Sequence, residues 1–269
     1  MGDSFIRLSR LGQRGSWLVE SRDYTGGVND LLWPEFAPLG RGEVHLYWGW
    51  VGAEQSIAAH NLSKSETERA GVFRFERDRR AFLARRSFLR LLLGRHSGLD
   101  PAALSIESGP HGKPFLAGDG GLHFSSSNSA ERFLIAIGRS GPLGVDLQEC
   151  RLGEEPAKMA RGVFSPLECQ QLGEAPQAEQ EALFFRGWTR KEAALKALGT
   201  GFMQEARELH VGLGAPPPGG APWSVAEEPK LQGLGLLDLD AAPGFSAALC
   251  APGCDWSLRS FEMTPESSS

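Results

Sequence analysis

Phe185-Arg186-Gly187-Trp188-Thr189-Arg190-Lys191-Glu192-Ala193-Ala194-Leu195-Lys196 is the segment on which the reading of this chain turns. At helical spacing Phe185, Trp188, Glu192 and Leu195 fall near one face, so a carboxylate interrupts an apolar stripe. An ionised group there is costly unless a cation or a donor meets it. The plain alternative is a solvated Glu192–Lys196 pair one turn apart, which contributes about 0.2–0.5 kcal/mol. The helical pattern runs from 177 to 198 and stops at Gly199, which places the segment in the second half of a long helix.

Working outward, Asp146 sits in Gly144-Val145-Asp146-Leu147, a strand-like run otherwise suited to burial. An Asp there needs a partner, and an ordinary buried hydrogen bond is the simplest one. Two carboxylates, each on an otherwise apolar element, also suit a hard cation such as Mg²⁺, which takes oxygen ligands and keeps waters or substrate phosphates. Arg77, Arg79, Arg80, Arg85, Arg86 and Arg90 crowd one helical stretch. Arginine forks match phosphate, although a solvated face or a nucleic-acid helix has the same composition. Glu76 and Asp78 neutralise one end, which favours a small polyanion over duplex nucleic acid. Gly109-Pro110-His111-Gly112-Lys113-Pro114 and Phe124-Ser125-Ser126-Ser127-Asn128-Ser129 read as loops whose glycines admit a ligand and whose hydroxyls and amide offer donors.

The rest of the chain sets limits. Its 28 Lys and Arg against 33 Asp and Glu give a formal charge of −5, which argues against a general nucleic-acid binder. No stretch approaches the roughly 20 apolar residues of a membrane span. Arg7, Arg10 and Arg14 break up any secretory leader, so a cytoplasmic protein with reduced structural thiols is expected. Residues 1–42 read as an extension and 264–269 as a disordered tail. Between them a strand is predicted over 44–51, a helix from the caps Ser63 and Ser65 to Phe75, and a second helix from 78 to a stop at Gly94. Short strands follow at 104–107, 122–125, 133–137 and 144–147, the last two joined by a Gly-Pro turn. A helix over 157–164 leads to Ser165-Pro166-Leu167-Glu168, a capping box with proline in its first turn. A loop at 216–222 and three strand-like segments over 223–263 complete the chain. The run–turn–run pattern of 133–147 recurs at 245–261, each after a helix-rich stretch, so two similar α/β halves are expected, 43–143 and 144–263.

Taken in order, these segments resemble the 4′-phosphopantetheinyl transferases of the broad-specificity bacterial class. That family's pattern is an Arg-rich helix, a G-K-P turn, an F-N-x-S-H-S-like loop, a G-[VI]-D strand and a W-x-x-K-E-A helix. The matching residues are Arg86 to Arg90, Gly112 to Pro114, Phe124 to Ser129, Gly144 to Asp146 and Trp188 to Ala193. Ala197-Leu198-Gly199-Thr200-Gly201-Phe202 and Val163-Phe164-Ser165-Pro166-Leu167-Glu168 extend the likeness. The resemblance implies a pseudo-twofold pair of α/β halves, each an antiparallel-rich sheet with packed helices. Coenzyme A and Mg²⁺ would lie in the cleft between them, and the phosphopantetheine arm would pass to a serine of an acyl or peptidyl carrier protein.

Carried over residue by residue, Asp146 and Glu192 fall on the metal-binding acids, with Gln148 where many members have Glu. Lys191 and Lys196 fall on basic positions facing the pyrophosphate, and Arg86, with Arg90 on the same helix, on the grip for the 3′-phosphate. Gly112 and Lys113 belong to the G-K-P turn, with His111 just before it, and Ser127 and Asn128 stand where the family has Ser-His near the phosphates. Glu192 is the candidate general base, with Lys196 and Asp146 completing the catalytic set. Gln148 costs the site one negative charge and Asn128 an imidazolium, which leaves open a relative that binds coenzyme A or carrier without transfer. An acidic carrier is expected to dock near the helix starting at Ser165, on Phe164 and Leu167, with the enzyme working as a monomer.

Overall fold

The computed structural model describes residues 6–11, 16–21, 38–51, 59–151, 156–200, 206–218, 220–225 and 228–262. The tail 264–269, most of the extension and Gly201-Phe202 lie outside the described residues. Within the extension, β1 (Ile6–Leu11) and β2 (Ser16–Ser21) pair as an antiparallel hairpin, which the sequence reading did not separate from the surrounding Gly- and Arg-rich stretch. The order continues with β3 (Glu43–Trp50), α1 (Lys64–Ala70), α2 (Glu76–Ser97), β4 (Ile106–Ser108), β5 (Pro114–Leu116), β6 (His123–Ser129), β7 (Arg132–Gly138) and β8 (Gly144–Glu149). Then come α3 (Pro156–Val163), α4 (Pro166–Glu174), α5 (Gln177–Leu198), β9 (Trp223–Ser224), β10 (Leu234–Leu239), β11 (Phe245–Pro252) and β12 (Ser257–Glu262).

Two four-stranded, mostly antiparallel sheets carry the fold, in the orders β12-β3-β7-β6 and β8-β11-β10-β9. They pack face to face through Val44, Leu46, Leu134, Ala136, Val145, Leu147 and Leu249. The outer face of the first sheet packs against α2, through residues such as Leu92, Leu93, Phe124 and Ile137. The outer face of the second packs against α5, through Phe184, Ala194, Leu195 and Ala248. Strand alternation therefore sends Val145 and Leu147 between the sheets, and Gly144, Asp146 and Gln148 toward α5.

The order β3-α2-β6-β7 of the first half recurs as β8-α5-β10-β11 in the second. In each, the first strand pairs antiparallel with the last, which pairs antiparallel with the one before it. The long helices α2 and α5 are each 22 residues and each ends on a left-handed glycine, Gly98 (φ 76°) and Gly199 (φ 72°). Each is preceded by a helix opened by a capping box, Ser63 with Glu66 on α1 and Ser165 with Glu168 on α4. The repeated run–turn–run pattern has a different origin from the hairpin it suggested. β7 and β8 lie in different sheets, as do β11 and β12, so both turns are crossings between sheets. The hairpins are β6–β7 and β10–β11, and β12 returns to pair in parallel with β3 of the first half.

Three further boundaries differ from expectation. Helix α1 ends at Ala70, short of Phe75, because the chain turns at Gly71 and re-enters α2 through Phe75. Helix α2 passes through Gly94 and ends three residues later. A Cβ on Gly94 would lie 2.8 Å from the Leu99 carbonyl oxygen, so this glycine serves close packing of the returning chain. The Ser-rich stretch is strand β6 rather than a loop. No helix among the described residues is long and apolar enough to cross a membrane.

Gly144 decides where β8 meets α5. A Cβ there would sit 2.0 Å from the Ala193 oxygen and 2.4 Å from the Ala197 nitrogen, both backbone atoms that cannot give way. Gly144→Ala is expected to lower stability by about 1–3 kcal/mol through overpacking. Gly162→Ala, on exposed α3 with nothing near its Cβ position, is expected to raise it by about 0.5–1 kcal/mol. Urea midpoints of the two variants check the contrast.

Candidate active site

Asp146 is 1% exposed, deep enough that its charge must be met by neighbours. Its Oδ1 accepts from Ser127 Oγ at 2.6 Å and from Lys196 Nζ at 2.7 Å; Gln148 Nε2 donates to Oδ2 at 3.3 Å. Lys196 Nζ also donates to the Val145 carbonyl at 3.1 Å. These four side chains come from three elements, β6, β8 and α5, so the cluster lies where the two halves meet.

Glu192 stands one turn before Lys196 on α5 and lines a cavity of about 230 Å³ with Lys196, Lys113, His111, Gly112 and Ser126. Burial, and then the negative charge of Asp146, push its carboxyl up to about 7, while Lys196 pulls the other way. The interruption of the apolar stripe is thus a partly desolvated acid that feels a second acid. Lys113 reaches across from the first half, donating to the Leu143 carbonyl at 3.1 Å and the Ala197 carbonyl at 3.3 Å. Burial lowers its ammonium to about 8. Gly112 precedes it at φ 82°, a left-handed conformation that suits glycine and turns the chain back toward the cavity.

The donor set around Asp146 and Glu192 is two carboxylates and one amide. That all-oxygen chemistry fits a hard divalent cation that fills its remaining positions with water or substrate phosphate. Among the described residues there is no group of three or more His, Cys, Asp and Glu able to hold a metal, so a cation here relies on those outside ligands.

Several residues named from the sequence stand elsewhere. Lys191 does not face this cavity: it is fully buried on another side of α5. Its Nζ contacts Glu168 Oε2 at 2.7 Å and donates to the Ala206 and Leu209 carbonyls. Glu168 also accepts from the Val211 and Gly212 N–H groups, so this pair fastens α4 and the chain after α5 to the long helix. Arg90, 2% exposed, donates from Nε to Glu66 and from Nη1 to the carbonyls of Pro101 and Leu104, so it is buried in contacts within the first half. Arg86 embraces the other oxygen of Glu66, Oε1, at 2.6–2.7 Å. The helix starts at Ser63 and Ser165 that carry these acids were visible in the sequence, but the bases that pair with them lie 20 or more residues away along the chain. Asn128 is exposed, and strand alternation turns it to the face opposite Ser127. Phe164 is buried at 1% exposure, so of the two expected docking residues only Leu167, 53% exposed, faces outward; Met159 on α3 is also exposed, at 38%. Ser125 and Ser129, not singled out from the sequence, also reach β8.

A profile of the 4′-phosphopantetheinyl transferase superfamily matches residues 142–221, and a profile of a 4′-phosphopantetheinyl transferase N-terminal region matches 47–136. The chain is 32% identical over 205 residues to the 4′-phosphopantetheinyl transferase HetI of Nostoc sp., covering 75% of this chain and 83% of that one. The chain belongs to the 4′-phosphopantetheinyl transferase superfamily. A putative 4′-phosphopantetheinyl transferase of Synechocystis sp. is 36% identical over 142 residues, 52% of this chain and 58% of the relative. The 4′-phosphopantetheinyl transferase of Bacillus subtilis is 28% identical over 151 residues, 56% and 66% of the two chains. The two profile matches meet near the crossing from β7 to β8, so the transferase likeness spans both walls of the cavity.

Two outcomes follow for this transferase. Lys191→Met strands a buried carboxylate and is expected to cost about 3–5 kcal/mol. The urea midpoint should fall, with coenzyme A affinity of the folded variant unchanged. Lys113 is held below its unfolded value of 10.5, so the unfolded chain binds more protons between about pH 8 and 10.5. Stability should therefore rise with pH across that window, and Lys113→Met should flatten the rise in pH-dependent denaturation curves.

Proposed function

We propose that this chain transfers the 4′-phosphopantetheine group of coenzyme A to a serine of an acyl or peptidyl carrier protein, releasing 3′,5′-ADP in a Mg²⁺-dependent reaction. The observation that carries this reading is the Lys196 ammonium. It sits 2.7 Å from the buried Asp146 carboxylate and lines the cavity that Glu192 also lines. The cavity is lined by residues before and after the β7–β8 crossing, so one copy of the chain suffices to build it. We infer that the protein acts as a monomer, in the cytoplasm.

Asp146 and Glu192 would hold Mg²⁺, with the Gln148 amide turned to offer its oxygen. The ion, when bound, supplies positive charge to the pyrophosphate oxygens. Lys196 and Lys113 add charge along the same group, and His111, the Gly112 backbone and Ser127 offer donors around it. A serine hydroxyl is a weak nucleophile, and Glu192 takes its proton at a carboxylate oxygen, directly or through a water. The hydroxyl oxygen attacks the pantetheine-side phosphorus, and the bond to the 3′,5′-ADP oxygen breaks opposite it. The carrier docks beside the cleft on the α3–α4 corner, where Leu167 and Met159 are exposed and Lys158 and Arg161 suit an acidic partner. Relaxed choice among carriers, as in the broad-specificity bacterial class, is part of the proposal.

The test incubates the protein with coenzyme A, Mg²⁺ and apo-carriers of fatty-acid, polyketide and nonribosomal-peptide type, and reads the mass gained by each carrier. Asp146→Ala and Glu192→Ala are each expected to lower the rate by about 100-fold or more, with circular dichroism unchanged. Near-normal transfer by either variant refutes its role. No mass gain with any carrier, alongside retained coenzyme A binding, would point to a relative that binds without transfer.

A further inference from the structure

Strands β6 and β8 are edge strands of different sheets, yet they run side by side without backbone pairing. Serine hydroxyls on alternate residues of β6 join them instead. Ser125 Oγ accepts the Val145 N–H at 3.1 Å, and Ser129 Oγ accepts the Glu149 N–H at 2.9 Å. Between these two rungs the Ser127 hydroxyl donates to Asp146 Oδ1 at 2.6 Å. Three serines on one face of one strand thus meet β8 at its start, its middle and its end. On its other edge β8 is fixed by antiparallel pairing to β11, where Asp146 stands opposite Ala248. With both edges tied, the backbone that carries Asp146 has little freedom to translate or twist.

We propose that Ser125 and Ser129 are positioning residues of the active site. Neither hydroxyl bonds Asp146; Ser129 lies away from the cavity, and Ser125, which lines it, has its Oγ turned to the Val145 N–H. Their hydroxyls fix the β8 backbone on either side of Asp146, and so hold its carboxylate against Lys196 and toward the side where Glu192 stands. Loss of either hydroxyl, as in serine to alanine, leaves an edge N–H of β8 without its partner and frees that end of the strand to move from β6. Partners that orient ligand groups in this indirect way typically contribute about 10–100-fold in metal affinity. The catalytic meaning of the ladder rests on the reading of Asp146 as a cation ligand; its geometric part does not.

The experiment compares the parent protein with Ser125→Ala, Ser129→Ala and Ser129→Thr. Mn²⁺ titration followed by electron paramagnetic resonance is expected to show about tenfold weaker binding in each alanine variant and recovery in Ser129→Thr, which keeps the hydroxyl. Coenzyme A affinity of Ser129→Ala, whose side chain does not line the cavity, should stay within about twofold in cation-free buffer, which separates lost positioning from general loosening. Unchanged Mn²⁺ affinity in both alanine variants would reduce the ladder to a fastener between the halves and overturn the proposal. Failure of the parent itself to bind Mn²⁺ would instead sink the reading of Asp146 as a ligand. The ladder would then be judged by crystal structures of the metal-free variants. These should show the Asp146–Lys196 contact, 2.7 Å in the parent, opened in Ser125→Ala and Ser129→Ala; an intact contact refutes the positioning role.

Discussion

A strand lies directly on a helix where Gly144 of β8 meets the Ala193–Ala197 turn of α5. No side chain fits between the two backbones, and that absence sets the distances of everything beside it. Two residues further along β8, Asp146 meets Lys196 on α5, and Glu192 stands one helical turn before that lysine. The buried aspartate costs free energy that the Lys196 ammonium and the Ser127 hydroxyl offset. Lys113 grips the same junction from the first half, with one hydrogen bond to the carbonyl just before Gly144 and another to Ala197. A shift of α5 against β8 would therefore disturb the acid pair and the contact between the halves together.

The two halves repeat one plan, yet their equivalent positions differ in chemistry. The third residue of β8 is Asp146; the third residue of β3 is His45. Where α5 carries Glu192 and Lys196, α2 carries Leu91 and Arg95 at the corresponding places. His45 joins a buried cluster in which its Nδ1 lies 3.3 Å from Tyr47 Oη, and Tyr47 Oη lies 2.8 Å from His96 Nε2. β12 then closes over β3 by parallel pairing, and Phe261 stacks on the Tyr47 ring. The counterpart of the acidic site is thus a packed imidazole–phenol cluster under a strand. β8 keeps one edge out of any sheet, where it meets the hydroxyls of β6 and the Lys196 ammonium in place of a neighbouring strand. One cleft is sealed and the other open, which is how a repeated plan comes to hold a single acidic site. The scaffolding underneath stays alike: Glu66 with Arg90 in one half and Glu168 with Lys191 in the other occupy matching places, each a capping-box acid that anchors a long helix.

Much of this was written in local sequence. The span of α5 from 177 to 198, its stop at Gly199 and the capping box at Ser165 follow from rules that act over a few residues, and the structure agrees with them. That Asp146 and Glu192 are out of place was legible for a related reason: a carboxylate on an apolar element is a local anomaly wherever its partner lies. Lys191 and Arg90 show where such reasoning stops. Each is a base in a phosphate-like context, and each is consumed by a buried glutamate on a neighbouring helix. A motif reveals which residue types are present but not which face of a helix the rest of the chain will cover.

Sequence alone therefore determined the α5 span, the cap at Ser165 and the two misplaced acids, because propensity, capping and hydrophobic periodicity are properties of neighbouring residues. Tertiary structure alone decided which charges are spent on holding helices and which line the cavity. It also decided that Ser125, Ser127 and Ser129 form a strand seam, and that the apparent hairpins are crossings between sheets. Those outcomes depend on contacts between residues far apart along the chain, where burial and pairing, rather than local preference, set the free energy.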